Sequence, residues 1–168
     1  MRCLLAERPR DSWADPVLPE MARFWLQMHD GFRRNVALMG EAVRCGEADP
    51  ASVRRELIGT LGGFLQHLDG HHRIESGQYF PQFRRAEPRV AEGLDLLDRD
   101  HDAIHAHLEA LHQAGLAYHQ AVRSRAPADD ALRRFGDVLT LATPALTRHL
   151  DDEEEIVIPL IALNGVRG

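Results

Sequence analysis

The sequence predicts an all-α protein: an antiparallel up-down four-helix bundle preceded by an N-terminal arm. Three observations predict it. Apolar residues recur at three- and four-residue steps along four long segments, the spacing of one helix face. Short breaks, each holding a Pro, separate those segments. A unit His-x3-Glu-x5-Pro also occurs twice, as His71–Glu75–Pro81 and as His149–Glu153–Pro159. Such repetition marks a duplicated structural unit, here a helix pair. No stretch makes a strand candidate of any strength.

The elements follow in order. Residues 1–18 carry Pro9 and Pro16, show no periodicity, and read as an arm anchored by Trp13. Pro19 suits a first helical turn. The first helix then runs to about Cys45 on the stripe Leu18, Met21, Trp25, Met28, Phe32, Val36, Met39 and Val43, and Gly46 to Pro50 stops and restarts the chain. The second helix spans about Ala51 to Gly77. Its stripe Leu57, Leu61, Phe64 and Leu68 runs straight into His71 and Glu75. Gly59, Gly62, Gly63, Gly70 and Gly77 weaken it by up to ~1 kcal/mol each, which close helix approach would justify. Pro81 should end or kink it.

The third helix covers about Arg89 to Arg123, with Leu94, Leu97, His101, Ile104 beside His105, Leu108, and Leu111 beside His112. The fourth starts at Asp129 or Asp130, either a good N-cap. Its stripe is Leu132, Phe135, Leu139, Ala142, Leu146, His149, Glu153 and Ile156. Pro144 should kink it and Pro159 end or bend it, with the tail fraying after Leu163. The bundle thus occupies about residues 19–162 of a single domain.

Composition narrows the function. The 168 residues are 44% hydrophobic and 27% charged, ordinary for a globular chain that can bury a real core. A net charge of −6 argues against a nucleic-acid partner bound through its phosphates. All 20 basic residues are Arg, so Schiff-base chemistry and a phosphate-loop lysine are out. Cys3 and Cys45 form neither a disulfide framework nor a metal knuckle. No apolar run approaches the ~20 residues of a membrane span, and the N-terminus lacks a signal peptide's form, so a reducing cytosol is expected.

What stands out is where the His residues fall. His29 and His101 echo each other across the two halves, as do His71 and His149. At ~1.5 Å per residue, His29 and His71 lie ~24 and ~30 Å from their connecting turn, and His101 and His149 ~33 and ~28 Å from theirs. Four helices therefore place His at one layer of one core. The inward set is His29, His71, Glu75, His101, His105, His149 and Glu153. A dry interior does not accept five imidazoles and two carboxylates unpaired, whereas metal coordination satisfies them together. Such donors suit iron, manganese or zinc. Seven exceed one tetrahedral zinc and fit two six-coordinate ions sharing carboxylates. Glu154 is the register alternative to Glu153. His67 could be a ligand, a donor behind the ligands, or core. His72 should point off the face into solvent; His107 and His119 should lie on the surface; His112 should line the core. Tyr79 and Trp25 could border the pocket.

On these residues, with the flanking Phe80–Pro81 and Ile158–Pro159, the chain resembles the hemerythrin family, specifically the bacterial HHE cation-binding domains. The resemblance covers about residues 20–162. It implies a four-helix bundle holding a non-haem diiron centre with an oxo or hydroxo bridge. It implies that His101, His105 and His149 bind one iron, that His29 and His71 bind the other and leave it an open position, and that Glu75 and Glu153 bridge. Arg33 stands in the first helix where the third has His105, which agrees with fewer ligands on one iron. The oxygen-carrying hemerythrins have His-x4-Asp where this chain has His-x3-Glu, which favours sensing or redox handling over oxygen storage. The expected function is binding or sensing of O2, NO or peroxide. The alternatives are a diiron enzyme (peroxide disproportionation, NO reduction or iron–sulfur-cluster repair) and a bundle that metals merely staple.

Overall fold

The computed structural model describes residues 9–13, 18–45 and 50–164. Within them the architecture is all-helical, with no strand among the described residues. The helices are α1 (Glu20–Arg44), α2 (Pro50–Ile74), α3 (Phe80–Ala86), α4 (Ala91–Arg123) and α5 (Asp129–Asn164). A π-helical turn, Glu75–Tyr79, joins α2 to α3, and a 3-10 turn, Pro88–Val90, leads into α4. The four long helices close a ring: α1 packs on α2, α2 on α4, α4 on α5, and α5 back on α1. Much of the predicted arm, including Cys3, lies outside the described residues, as do 46–49 and 165–168. Of its described part, Arg10 donates from Nη2 to the Asp151 carbonyl (3.0 Å) and stacks 4.9 Å over Trp13, which packs against the core.

The predicted stripes are the buried faces. One apolar cluster joins Phe32, Met39, Leu57, Phe64, Leu68, Ile104, Leu111, Phe135 and Leu150. A second joins Trp25, Phe80, Phe83, Leu94, Leu97, Ile158 and Ile161. Each fully buried Leu, Ile or Phe contributes about 1.5–3 kcal/mol relative to exposure. The buried His and Glu residues lie at the level where these clusters meet.

Two local alternatives are narrowed and one expectation is corrected. Pro81 does not end its helix. A π turn precedes it, in which the Phe80 N–H donates to the Glu75 carbonyl five residues back, and Pro81 falls in the first turn of α3, where its missing N–H costs nothing. That wider turn re-phases the chain so that Glu75, Phe80 and Phe83 all point inward. Nor does Pro159 end α5, which continues through Pro144 and Pro159 to Asn164. The glycines of α2 are not sites of close approach, since a Cβ at Gly59, Gly62, Gly63 or Gly70 would meet nothing. The tight contacts fall at Gly115 against Leu61 and at Gly136 against Val43.

Candidate metal centre

Two groups of donors converge where the two apolar clusters meet. In the first, ligand atoms of His29, His71, Glu75 and Glu153 all lie within 4.8 Å of one another. In the second, those of His72, His101 and His149 do the same. In the first group the Nε2 atoms of His29 and His71 stand 3.1 Å apart and so face a common point. In the second the rings of His72 and His101 stack at 4.0 Å, with His149 at 5.4 and 4.9 Å from them.

The carboxylates join the groups. Glu75 turns Oε1 to His71 Nε2 (2.7 Å) and Oε2 to His101 Nε2 (3.5 Å). Glu153 turns Oε1 to His29 Nε2 (3.5 Å) and Oε2 to His149 Nε2 (3.4 Å). Each carboxylate thus offers one oxygen to either side, as a bridge between two cations requires.

Partners behind the donors aim them. His29 donates from Nδ1 to Glu154 Oε1 (3.0 Å), which also accepts from Arg33 Nη1 (2.8 Å). Arg33 Nη2 donates to Asp151 (2.7 Å). Ser76 Oγ donates to Asp98 Oδ1 (2.5 Å), so at 3.0 Å it accepts from His101 Nδ1–H. That fixes the tautomer and leaves the His101 Nε2 lone pair facing Glu75. Trp25 Nε1–H donates to Glu153 Oε1 at 2.5 Å.

Electrostatics favour neutral imidazoles in most of the layer. Burial holds His71 and His101 down at about 4, and His72 at about 2, with neighbouring imidazoles adding to the effect. Burial would also lower His29, but Glu153 and Glu154 raise it to about 9. Burial and the nearby Glu153 carboxylate push Glu75 well up. Burial works against the charge of Glu153 too, yet His29, His149 and His71 hold it well below the usual carboxylate range.

A metal fits these residues. Both nitrogens of His72 and His149, His101 Nε2, both Glu75 oxygens and Glu153 Oε2 are buried without a hydrogen-bond partner. A folded interior rarely leaves so many polar atoms orphaned in one place. Cations between the two groups would satisfy them together.

Of the seven predicted residues, six come together here: His29, His71, Glu75, His101, His149 and Glu153. His105 does not. Ile104 takes the inward position on α4, and the His105 side chain is 45% exposed with Nε2 3.5 Å from Asp69. His72 stands in its place, against the expectation that it is exposed; it is 2% exposed. The cause is geometric. Successive residues on a helix point ~100° apart. With α1 on one side and α4 on the other, α2 turns His71 to His29 and His72 to His101. The signal was present, for Leu68 lies three residues before His71 and four before His72. Glu153, not Glu154, enters the donor group. His67 and His112 are exposed, and His112 does not line the core.

Two cavities flank the centre. One, of about 350 Å³, is walled mainly by Met21, Phe24, Trp25, Met28 and Ile74 and reaches His71, with His67 and Tyr79 on its rim. The other, of about 590 Å³, is polar and reaches His72 and His101.

Fold and site together define a helical bundle with a buried imidazole–carboxylate centre able to hold metal. The hemerythrin HHE cation-binding domain model matches residues 20–161, and the chain belongs to that family. Neither a curated protein nor a solved structure matches it significantly.

Proposed function

We propose that this is a non-haem diiron protein that binds or senses O2, NO or peroxide. The observation that carries the reading is the pair of carboxylates, each with one oxygen toward either imidazole group. His29 and His71 would hold one iron, His72, His101 and His149 the other, and Glu75 and Glu153 would bridge them. Bound iron would supply a redox couple and an open coordination position. The chain's residues do the rest. His71 Nε2 belongs to the donor group that the apolar cavity reaches, and apolar diatomics partition into such a cavity more readily than water does. Glu154 and Arg33 fix the His29 ring, and Ser76 fixes His101. Two groups of different size, three imidazoles against two, favour ligand binding on the His29–His71 side.

The same reading takes the chain as one domain whose consecutive long helices run antiparallel. Trp25 lies edge-on to Tyr79, in the turn that continues α2, and Phe32 lies edge-on to Phe64, which supports an antiparallel α1 and α2. Among the described residues no helix is long and apolar enough to cross a membrane.

Metal analysis and absorption of the purified protein test the proposal. About two irons per chain are expected, as in carboxylate-bridged bundles, with near-ultraviolet bands that bleach on anaerobic reduction and return with O2. Zinc alone, or no metal after iron-replete expression, would sink the diiron reading and favour the structural alternative.

A further inference from the structure

The two cavities differ in chemistry, and the polar one is more than the ligand reading needs. Its floor is His72 and His101, buried imidazoles whose Nε2 atoms lack any hydrogen-bond partner, as does His72 Nδ1. Its mouth carries Asp102 and His105, both exposed and both on α4, one and four residues beyond His101. The ring centroid of His105 lies 6.1 Å from that of His72, which in turn stacks on His101 at 4.0 Å. Donors therefore continue in steps from solvent to the floor.

We propose that this cavity is the route by which divalent cations reach the centre, with Asp102 and His105 as outer donors that pass a cation inward to His72 and His101. The inference rests on the reading of the centre as a metal site. A hydrated dication gives up water only where protein donors replace it, because a bare charge in apolar surroundings is very costly. The polar cavity offers such donors at each step. The apolar cavity, walled by Met21, Phe24, Met28 and Ile74, offers a cation few. Other charged groups near the polar route are engaged: Asp98 is held by Ser76 and Arg84, and Arg73 by Asp69 at 2.6 Å. Arg99 also lines the cavity and opposes an incoming cation.

The route also gives His105 a role that its position allows. It lies outside the buried donor group yet beside it, so a cation resting on His105 is one ring away from a resident ligand.

The test is iron uptake by the metal-free full chain. Fe(II) is added anaerobically, and iron not yet taken up is trapped at timed intervals with a colorimetric chelator. Metal content is measured at the end. His105→Ala with Asp102→Asn should slow uptake about tenfold, the low end of the rate gain from a charge-matched cleft, and leave the final content unchanged. Arg99→Ala should speed uptake. Ile74→Trp, which narrows the apolar cavity, should leave the rate as it was. Unchanged uptake in the double variant, or slowing only in Ile74→Trp, overturns the route. A lower final content in the double variant overturns it differently, by making His105 a resident ligand. No iron in the parent protein overturns the metal reading itself.

Discussion

Glu154 shows how one residue can matter without offering its atoms to the metal. It is 3% exposed and spends one oxygen on both His29 Nδ1–H and Arg33. Burial alone would raise it, but His29 and Arg33 hold it below its usual value. Glu154→Ala would leave the His29 ring free to tilt and Arg33 held by Asp151 without its Glu154 partner. Loss of such a partner typically lowers metal affinity about 10–100-fold, and competition against a chelator of known strength would measure it. Glu155→Ala is the control, since Glu155 pairs with Arg10 and not with His29; its affinity should be unchanged. The same scale shows what the sequence could and could not reveal. Spacing alone brought His29, His71, Glu75, His101, His149 and Glu153 to one layer, because each lies on or beside an apolar stripe. It misplaced His72 and His105, because a stripe gives the mean direction of a face. Which of two adjacent residues points at which neighbour depends on how the helices are arranged around the layer.

At the scale of the element, the clearest local strain is at the end of α4. Ala126 N–H donates to the Ala121 carbonyl and Arg125 N–H to that of Val122, the paired bonds of a Schellman cap. That cap puts Arg125 at φ 58°, a conformation glycine adopts without a Cβ penalty. Arg125 is exposed, so its side chain secures no core. Arg125→Gly should therefore stabilise the protein by about 0.5–1 kcal/mol, the penalty removed less the extra freedom of an unfolded glycine. Urea denaturation would show it as a higher midpoint at constant slope. The helices themselves were legible from periodicity, and their ends agree with the predicted ones to within a few residues. The π turn was not. Pro81 announced a disturbance, but the remedy depends on Phe80 and Phe83 having a core to enter, which only packing decides.

For the whole molecule, the level where the two apolar clusters meet sets the response to acid. His71 and His101 are held down at about 4 and His72 at about 2, against 6.5 in the unfolded chain. Between those values the unfolded chain binds the protons and the folded one does not, so stability rises with pH. The contribution is present above 6.5 and is lost as pH falls toward 4 and below. His29, raised to about 9, is protonated in both states below 6.5 and does not offset this. Glu75, pushed up by burial, opposes it with one group against three. The metal-free protein should accordingly melt at progressively lower temperature between pH 6.5 and 4.5 in calorimetry. A flat profile would mean that these rings are solvated rather than buried.

The π turn at Glu75 has one more consequence. The chain repeats its His-x3-Glu-x5-Pro unit, yet among the described residues only the first copy carries the widened turn, where the helix re-aims Phe80 and Phe83 after its carboxylate. Around Glu153 the helix is buried on nearly every side from Ile156 to Ile161, so no re-aiming is needed. The halves are no longer exchangeable parts. A chain made of two first halves, or two second halves, would match the donors but not the cores above and below them. The duplication is still visible in the chemistry of the centre, and has been lost in the shape that supports it.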